Sequence, residues 1–335
     1  MPTGTRPISR PPPNLSSEHE FFMASSPQST GPVFSGVYPM QFAFFGPDGA
    51  LDRAAMRKQV EGCIGFGVDG IALLGLGTEV NKLSTDERRK VVDWVAEDVA
   101  GRVPLCVTIA ENSIHGQRDF ARYAQDAGAA WIVLQPPQVR GVGEAEYIRF
   151  FSGVADAVSV PFGIQNAPEY TGIGVSNAAI VELARRHANF RVLKGEGPAL
   201  LIRRAIEETE GKLAVFNGRA GLELTDNIRA GCAGMIPGSE SADIQKRIFD
   251  HATSADPARQ AEAEALYRQL LPMVVFVIQS LENFLCYGKA LAAARFGITD
   301  TTIRAPGILP TEFGLASLRQ SVSALFPDLD PGLIR

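Results

Sequence analysis

A lysine at the end of an apolar run is the residue of this sequence best suited to covalent chemistry. Lys194 ends the run Arg191–Lys194, whereas the other lysines lie before a run, in loops or in amphipathic segments. An amine at the mouth of an apolar sheet is partly desolvated, which favours its neutral form and makes it a nucleophile toward carbonyl groups. A lysine on the rim, with its ammonium in water, is the alternative that position alone leaves open.

Glu196, two residues after Lys194, is the candidate acid/base group. If strand geometry continues past the lysine, the two side chains point to the same face of the sheet. A carboxylate beside the reacting carbon could then take up or deliver a proton. A glutamate that follows a strand can also form a salt bridge on the rim, so both interpretations stay open.

Polar residues also follow other apolar runs. Gly77 and Thr78 follow the second run, Gln165 ends the fifth, Asn166 comes directly after it, and Ser239 follows the eighth. Gln165 is a candidate catalytic residue, and Asn166 is a candidate for substrate binding. Backbone N–H groups in a tight loop can hold a carboxylate, so the loop at Gly77 and Thr78 is a candidate substrate-binding segment. Hydroxyl groups make Thr78 and Ser239 candidates for hydrogen bonds to substrate.

The potential metal ligands are dispersed along the sequence. Four cysteines and four histidines include no C-x-x-C, H-x-x-H or H-E-x-x-H pair. Metal-dependent aldol chemistry needs clustered histidine and acidic ligands for a divalent cation. The sequence therefore predicts no metal site and no cofactor.

Eight short apolar runs alternate with amphipathic segments, and this alternation must position the residues above. The runs are Gly36–Phe44, Gly70–Gly75, Pro104–Ile109, Trp131–Gln135, Pro161–Gln165, Arg191–Lys194, Leu213–Asn217 and Gly234–Pro237. Short, continuously apolar runs are typical of parallel strands covered on both faces. Eight β-α units predict an α/β fold, a closed (β/α)₈ TIM barrel over residues 33–252, whose active residues lie at the carboxyl ends of the strands.

The two ends of the chain differ from this pattern. Residues 1–32 contain seven of the 22 prolines, which predicts a disordered tail. Residues 253–335 predict a helical appendage, with helix throughout 257–296 and a last helix near Thr311–Leu325. This appendage could pack on the barrel or against another subunit.

Charge and hydropathy exclude several classes of partner. The formal net charge is -5, so the chain lacks the basic surface that binds nucleic acid or an anionic membrane. No apolar stretch approaches the roughly 18 residues of a membrane span, and the first residues lack the apolar region of a secretory signal. The sequence therefore predicts a cytoplasmic protein with a small-molecule partner.

From Gly36 to about Ile298 the sequence resembles the dihydrodipicolinate synthase and N-acetylneuraminate lyase superfamily of class I, Schiff-base aldolases. The motifs are GVDGIALLGLGTEVNKLSTDER (Gly67–Arg88), AGRVPLCVTIAENS (Ala100–Ser113), AGAAWIVLQPP (Ala127–Pro137), IQNAPEYTG (Ile164–Gly172), VLKGEG (Val192–Gly197) and AGCAGMIPG (Ala230–Gly238). Their order along the chain is kept. The resemblance implies a TIM barrel, a Schiff-base lysine at Lys194, a 2-keto acid substrate and a homotetramer.

Departures from the family pattern argue against the lysine-biosynthetic synthase reaction. The carboxylate-binding G-T-T-G-E loop is Gly75–Glu79 here, and only Thr78 offers a hydroxyl. The proton-shuttling tyrosine corresponds to Gln165, and the arginine that binds the aldehyde substrate corresponds to Tyr170. A glutamine has no titratable proton for acid/base work. Tyr170 nevertheless stays a substrate-binding candidate.

One branch of the superfamily is closer in its motifs. The 2-keto-3-deoxyarabonate dehydratases carry Q-D-A-P where this chain has Gln165–Pro168, K-x-E where it has Lys194–Glu196, and a Ser-Glu pair at Thr78-Glu79. Asn166 replaces the acid of the first motif. We therefore expect a dehydratase in which Lys194 forms an iminium with C2 of a 2-keto-3-deoxy sugar acid and Glu196 serves as acid/base group.

Two alternatives stay open at this point. Retro-aldol cleavage would need a proton taken from the C4 hydroxyl, for which water held by Gln165 and Thr78 could replace the missing tyrosine. A non-catalytic barrel that binds sugar acids would keep the lysine and lack turnover.

Overall fold

Eight parallel strands form one curled sheet in the computed structural model, which describes residues 34–335. The predicted tail, residues 1–32, lies outside the described residues. The strand order is β1-β8-β7-β6-β5-β4-β3-β2. The strands are β1 (Gly36–Val37), β2 (Ile71–Leu73), β3 (Leu105–Ile109), β4 (Trp131–Leu134), β5 (Phe162–Asn166), β6 (Phe190–Gly195), β7 (Ala214–Asn217) and β8 (Gly234–Met235). The prediction of eight parallel strands is confirmed.

The two ends of this strand order approach each other at Met40. Met40 forms isolated parallel bridges with Ala72 of β2 and with Gly238, which follows β8. Regular β1 is shorter than the strand predicted over residues 36–44. Pro39 faces β2, where its carbonyl accepts from the Ala72 N–H at 3.1 Å, but it has no N–H to donate to a ladder on that side. The pairings of residues 34–335 include no continuous ladder between β1 and β2, so closure of the barrel stays a prediction.

Helices follow the strands and cover the outer face of the sheet. They are α1 (Arg53–Gly65), α2 (Thr85–Val99), α3 (Ile114–Asp126), α4 (Glu144–Ala155), α5 (Pro168–Thr171), α6 (Asn177–Arg186), α7 (Ala199–Glu208), α8 (Leu224–Ala230) and α9 (Ala242–Ala252). The predicted capping box is present, since the Ser84 hydroxyl accepts from the Glu87 N–H at 3.2 Å and the Glu87 carboxylate accepts from the Ser84 N–H at 2.9 Å. The short helix α5 was not predicted.

Side-chain alternation divides the strand residues into two layers. Tyr38, Trp131 and Phe216 stack edge to face or tilted inside the sheet, with ring centroids 5.3–5.5 Å apart. Val192 of β6 belongs to this inner cluster, whereas Leu193 packs in the outer layer between sheet and helices. The residue after Leu193 therefore points inward again.

The C-terminal region packs against α9, and the segment after its first helix reaches a cavity beside Lys194. It contains α10 (Pro257–Val277), α11 (Leu281–Asn283), a π-helical turn (Phe284–Gly288), α12 (Lys289–Phe296) and α13 (Glu312–Val322). The prediction of uninterrupted helix over 257–296 is wrong: α10 ends at Val277, and the Ser280 side chain caps α11 by accepting from the Asn283 N–H at 3.1 Å. Arg295 of α12 pairs with Asp243 at 2.7 Å, which fixes α12 to α9.

Within residues 34–335, no single helix has the length and hydropathy of a membrane span. The pair Pro257–Val277 and Leu281–Phe296 reaches that length and hydropathy only together, and it is bent by 108° at the break.

Candidate active site

Lys194 lies on the inner face of β6, close to its carboxyl end. It pairs in register with Gln165 of β5 and Phe216 of β7. Only 4% of Lys194 is exposed, and its Nζ lies 2.8 Å from Oε1 of Glu196. The structure thus brings the predicted nucleophile and the predicted acid/base group together in a buried setting.

The Glu196 carboxylate is held from a second side by Gln165. The Gln165 Nε2 donates to Oε1 of Glu196 at 2.6 Å, and the Glu196 backbone N–H donates to the Asn166 carbonyl at 3.0 Å. One carboxylate oxygen therefore accepts from both an ammonium and an amide. Buried charges persist when they are paired and hydrogen-bonded in this way.

Gly218, which follows β7, makes room for this pair. A Cβ at Gly218 would lie 2.9 Å from Cε of Lys194 and 3.0 Å from Oε1 of Glu196. Those distances are shorter than ordinary van der Waals contacts, so any side chain here would displace the lysine or the carboxylate. Gly218 was not predicted from the sequence, where the available signal is a glycine directly after the strand end Asn217.

A small cavity opens beside the Lys194 amine, with about 40 Å³ of space for water-sized molecules. Its lining includes four predicted site residues, Gly77, Tyr170, Lys194 and Glu196. The remaining lining residues are Met40, Leu76, Gly218, Ala220, Ile236, Pro237, Gly238, Ile278, Leu281 and Phe284. Most of this lining is apolar, so polar groups of a bound molecule would meet few partners besides the predicted site residues.

The C-terminal helices supply part of this wall, which the sequence analysis did not predict. Ile278 lies in the break after α10, Leu281 begins α11 and Phe284 begins the π-helical turn. The break in the predicted helix therefore places three apolar side chains over the lysine. Single π-helical turns are frequent at functional sites.

Tyr170, on α5, lines the same cavity and lies near the guanidinium of Arg219, whose charge affects the pKa of the phenol. The Arg219 guanidinium pairs with Glu169, the residue before Tyr170, at 3.2 Å. Burial raises the pKa of Tyr170, and the neighbouring Arg219 counteracts part of that rise. Tyr170 is therefore a protonated phenol at neutral pH, able to donate a hydrogen bond into the cavity.

Thr78 and Ser239 make internal hydrogen bonds and do not line the cavity. The Thr78 hydroxyl donates to the Gln41 carbonyl at 2.6 Å, and its backbone N–H donates to the Gly75 carbonyl at 3.0 Å. The Ser239 hydroxyl donates to Oε1 of Gln59 at 2.6 Å. Both residues are fully buried, so they fix the loops around the cavity.

Asn166 also lies outside the cavity, on the outer side of β5. Its side chain donates to the Val175 carbonyl at 3.0 Å and accepts from the Val175 N–H at 2.9 Å. It lines a larger groove of about 520 Å³ between α6 and α7. Asn166 thereby fixes the segment between α5 and α6.

Glu79 ends the loop that carries Gly77 and is fully enclosed. Its carboxylate pairs with Lys82 at 2.6 Å and with Lys289 of α12, whose Nζ also lies 5.1 Å from the centre of the Phe45 ring. Burial lowers the pKa of Lys289, and Glu79 counteracts that effect. A buried ion pair thus joins the C-terminal region to the loop Gly75–Glu79.

Lys194 lies near the end of the sixth of eight parallel strands and is paired with Glu196 beside an apolar cavity. This is an arrangement that could support Schiff-base chemistry. The sequence pattern of the dihydrodipicolinate synthetase family matches residues 33–324. The chain therefore belongs to the dihydrodipicolinate synthetase family, whose members are class I lyases.

Individual relatives carry several activities. The L-2-keto-3-deoxyarabonate dehydratase of Azospirillum brasilense is 29% identical over 255 residues, which cover 73% of this chain and 80% of the relative. The 4-hydroxy-tetrahydrodipicolinate synthase of Haloarcula marismortui is 30% identical over 72% of this chain and 78% of the relative. YagE of Escherichia coli K12, provisionally named a 2-dehydro-3-deoxy-D-gluconate aldolase, is 33% identical over 50% of this chain and 55% of its own length.

Solved structures agree with the fold. The crystal structure of YagE in complex with pyruvate superimposes with a TM-score of 0.78 at 24% identity, over 88% of this chain and 99% of that one. The synthase of Methylacidiphilum fumariolicum SolV superimposes with a TM-score of 0.79 at 21% identity, over 86% and 95%. At these identities the likeness describes the fold alone.

Proposed function

We propose that the protein is a Schiff-base lyase that dehydrates a 2-keto-3-deoxy sugar acid. The observation that carries this proposal is the buried contact of 2.8 Å between the Lys194 amine and the Glu196 carboxylate beside the cavity. The dehydratase among the relatives supports the same reaction class.

Lys194 would attack the C2 carbonyl and lose water to form an iminium. The iminium withdraws electrons from C3, so a C3 proton becomes acidic enough for a carboxylate to remove. Glu196 accepts this proton because its Oε1 already faces the lysine nitrogen. The enamine that results expels the C4 hydroxyl as water.

Gln165 serves here as the group that orients Glu196. Its amide donates to the carboxylate at 2.6 Å and carries no titratable proton. Gly77 is the proposed contact for the substrate carboxylate, since it lies in the loop that lines the cavity. Thr78, Ser239 and Asn166 are proposed to shape these loops, in line with their internal hydrogen bonds.

Retro-aldol cleavage is the second candidate, favoured by the likeness to YagE. This reaction requires a base at the C4 hydroxyl. A water held by Gln165 was the predicted base, but the Gln165 amide donates to Glu196 instead. Dehydration requires a base at C3, next to the lysine nitrogen, where Glu196 lies. This difference in position supports the dehydratase.

Borohydride trapping followed by product analysis tests the proposal. Incubation with a 2-keto-3-deoxy pentonate and borohydride should leave a reduced adduct on Lys194, detectable by peptide mass spectrometry, and none in Lys194→Met. Without borohydride, the expected product is a semialdehyde formed with loss of water. Pyruvate plus an aldehyde would establish the aldolase instead, an adduct without turnover would establish a binding barrel, and no adduct would overturn both enzymatic proposals.

A further inference from the structure

Expulsion of the C4 hydroxyl needs a proton donor that the proposed mechanism has not yet supplied. Among residues 34–335, the cavity-lining side chains that carry exchangeable protons are Lys194, Glu196 and Tyr170. The lysine nitrogen is occupied in the iminium, and Glu196 takes the C3 proton. We infer that Tyr170 is the catalytic acid that protonates the leaving hydroxyl, an inference that rests on the proposed dehydration.

The local backbone fixes Tyr170 at the cavity. The helix α5 is a single turn in which the Tyr170 N–H donates to the Ala167 carbonyl at 3.0 Å. Gly172 ends the turn in the left-handed region, with φ of 70°. The Thr171 hydroxyl donates to the Ile173 carbonyl at 2.8 Å, which ties down the residues that follow. The phenol is therefore presented from a short, well-anchored turn.

The positive charge of Arg219 favours release of a proton from the Tyr170 phenol. Gly218 and Ala220, the residues on either side of Arg219, line the same cavity as Tyr170, and the charge of Arg219 lowers the pKa of the phenol against the effect of burial. A cation beside the hydroxyl stabilises the tyrosinate that remains after proton transfer. Arg219 is held in turn by Glu169 at 3.2 Å. We assign Arg219 as a positioning residue for Tyr170.

The proton balance of the step is complete with these groups. The C3–H bond breaks and its proton passes to Glu196, while its electrons form the C2–C3 double bond of the enamine. The enamine electrons shift to form a C3–C4 double bond, the C4–O bond breaks, and the hydroxyl leaves as water with the phenol proton of Tyr170. In the tautomerisation that follows, Glu196 returns its proton to C3 and Tyr170 recovers one from C5, which leaves the C4–C5 enol of the semialdehyde. The enol hydroxyl loses its proton to water as C4 gains one from water, and hydrolysis of the iminium releases the product and Lys194.

The first test compares Tyr170→Phe with Tyr123→Phe, whose hydroxyl bonds Asp93 on the outer surface. Tyr170→Phe should lose about 10²- to 10⁴-fold in kcat for dehydration, the usual contribution of a general acid. Its yield of borohydride adduct on Lys194 should equal that of the parent protein, and Tyr123→Phe should keep full turnover. Turnover of Tyr170→Phe within threefold of the parent would overturn the inference, and so would loss of the adduct, because Tyr170 would then act in binding.

A substrate with fluorine in place of the C4 hydroxyl provides the second test. Fluoride leaves without a proton, so Tyr170→Phe and Arg219→Met should release fluoride at rates near that of the parent protein. With the natural hydroxyl, Arg219→Met should be slow and Arg219→Lys should recover part of the rate. Equal losses with fluoride and hydroxyl would overturn the inference. Absence of any adduct in the parent protein would instead remove the proposed function, which keeps the two failures distinct.

Discussion

Lys194 and Glu196 lie two residues apart in sequence and face each other, with Nζ of the lysine 2.8 Å from Oε1 of the glutamate. Both are at least 95% buried, with 4% and 5% of their surfaces exposed. A buried ion pair of this kind is costly to desolvate and costly to break. In the proposed reaction, the carboxylate that balances the ammonium would also take the proton from the carbon next to the iminium.

Glu196→Gln tests the two roles of the Glu196 carboxylate, which are to balance the lysine charge and to take up the C3 proton. The glutamine keeps the size and hydrogen-bonding atoms of the side chain but cannot take up the C3 proton. We expect adduct formation on Lys194 to persist and kcat for dehydration to fall by about 10²- to 10⁴-fold, measured by borohydride trapping and steady-state assay. Glu182→Gln, on the surface of α6, is the control. Full turnover by Glu196→Gln would remove the assignment.

Gly218→Ala tests the space around the same pair. The added methyl would lie 2.9 Å from Cε of Lys194 and 3.0 Å from Oε1 of Glu196, so one of the two must move. We expect at least about a tenfold slower adduct formation, since a displacement near 1 Å is costly in catalysis. Gly65→Ala, with no atom within 4 Å of its Cβ position, should leave the rate unchanged. Equal rates in the two variants would contradict this account of Gly218.

The eight parallel strands and the proximity of Lys194 to Glu196 could be predicted from local patterns in the sequence. A continuously apolar run such as Trp131–Leu134 needs helices on both sides or an enclosed interior, so eight such runs predict parallel strands. The Lys194 and Glu196 placement follows from the two-residue period of a strand. Both features depend on residues that are close together in the sequence, so they can be predicted without knowledge of the tertiary structure.

Features that depend on distant segments could not be predicted in this way. The apolar stretch around Ile278 and Phe284 has the composition of an uninterrupted helix, and its break becomes evident only where it covers the cavity. Hydroxyls at Thr78 and Ser239 looked available for substrate, yet each is bonded to a residue from the first part of the barrel. The partner of a polar side chain is set by tertiary packing, which residue type alone does not specify.

Lys289→Met should destabilise the fold and loosen the loop Gly75–Glu79. The substitution leaves the buried Glu79 carboxylate with Lys82 alone, so we expect a loss of about 3 kcal/mol in the free energy of unfolding, typical of a broken buried pair. The double variant Glu79→Gln/Lys289→Met should lose less than the sum of the two single variants. Urea unfolding of all four proteins measures this coupling, and strict additivity would show that the pair contributes no coupling energy.

Glu240, in the turn after β8, is a buried acid that the proposed reaction does not use. Burial raises its pKa to about 7, against the lowering effects of hydrogen bonds and of Arg295. Its Oε2 has no hydrogen-bond partner within residues 34–335 and would lie 2.0 Å from a Cβ at Gly238. The folded protein therefore holds this proton to higher pH than the unfolded chain does.

Glu240→Gln should remove a pH dependence of stability. Because the folded-state pKa is the higher one, the contribution of Glu240 is complete below about pH 4.5 and is lost as the pH rises to about 7. Relative to the parent protein, Glu240→Gln should therefore gain about 2 to 3 kcal/mol more at pH 8 than at pH 5. Urea unfolding at both pH values measures the difference. The control is Glu97→Gln, because Glu97 is an exposed glutamate on α2. An equal effect of Glu240→Gln at pH 5 and pH 8 would show that this carboxyl does not titrate between them.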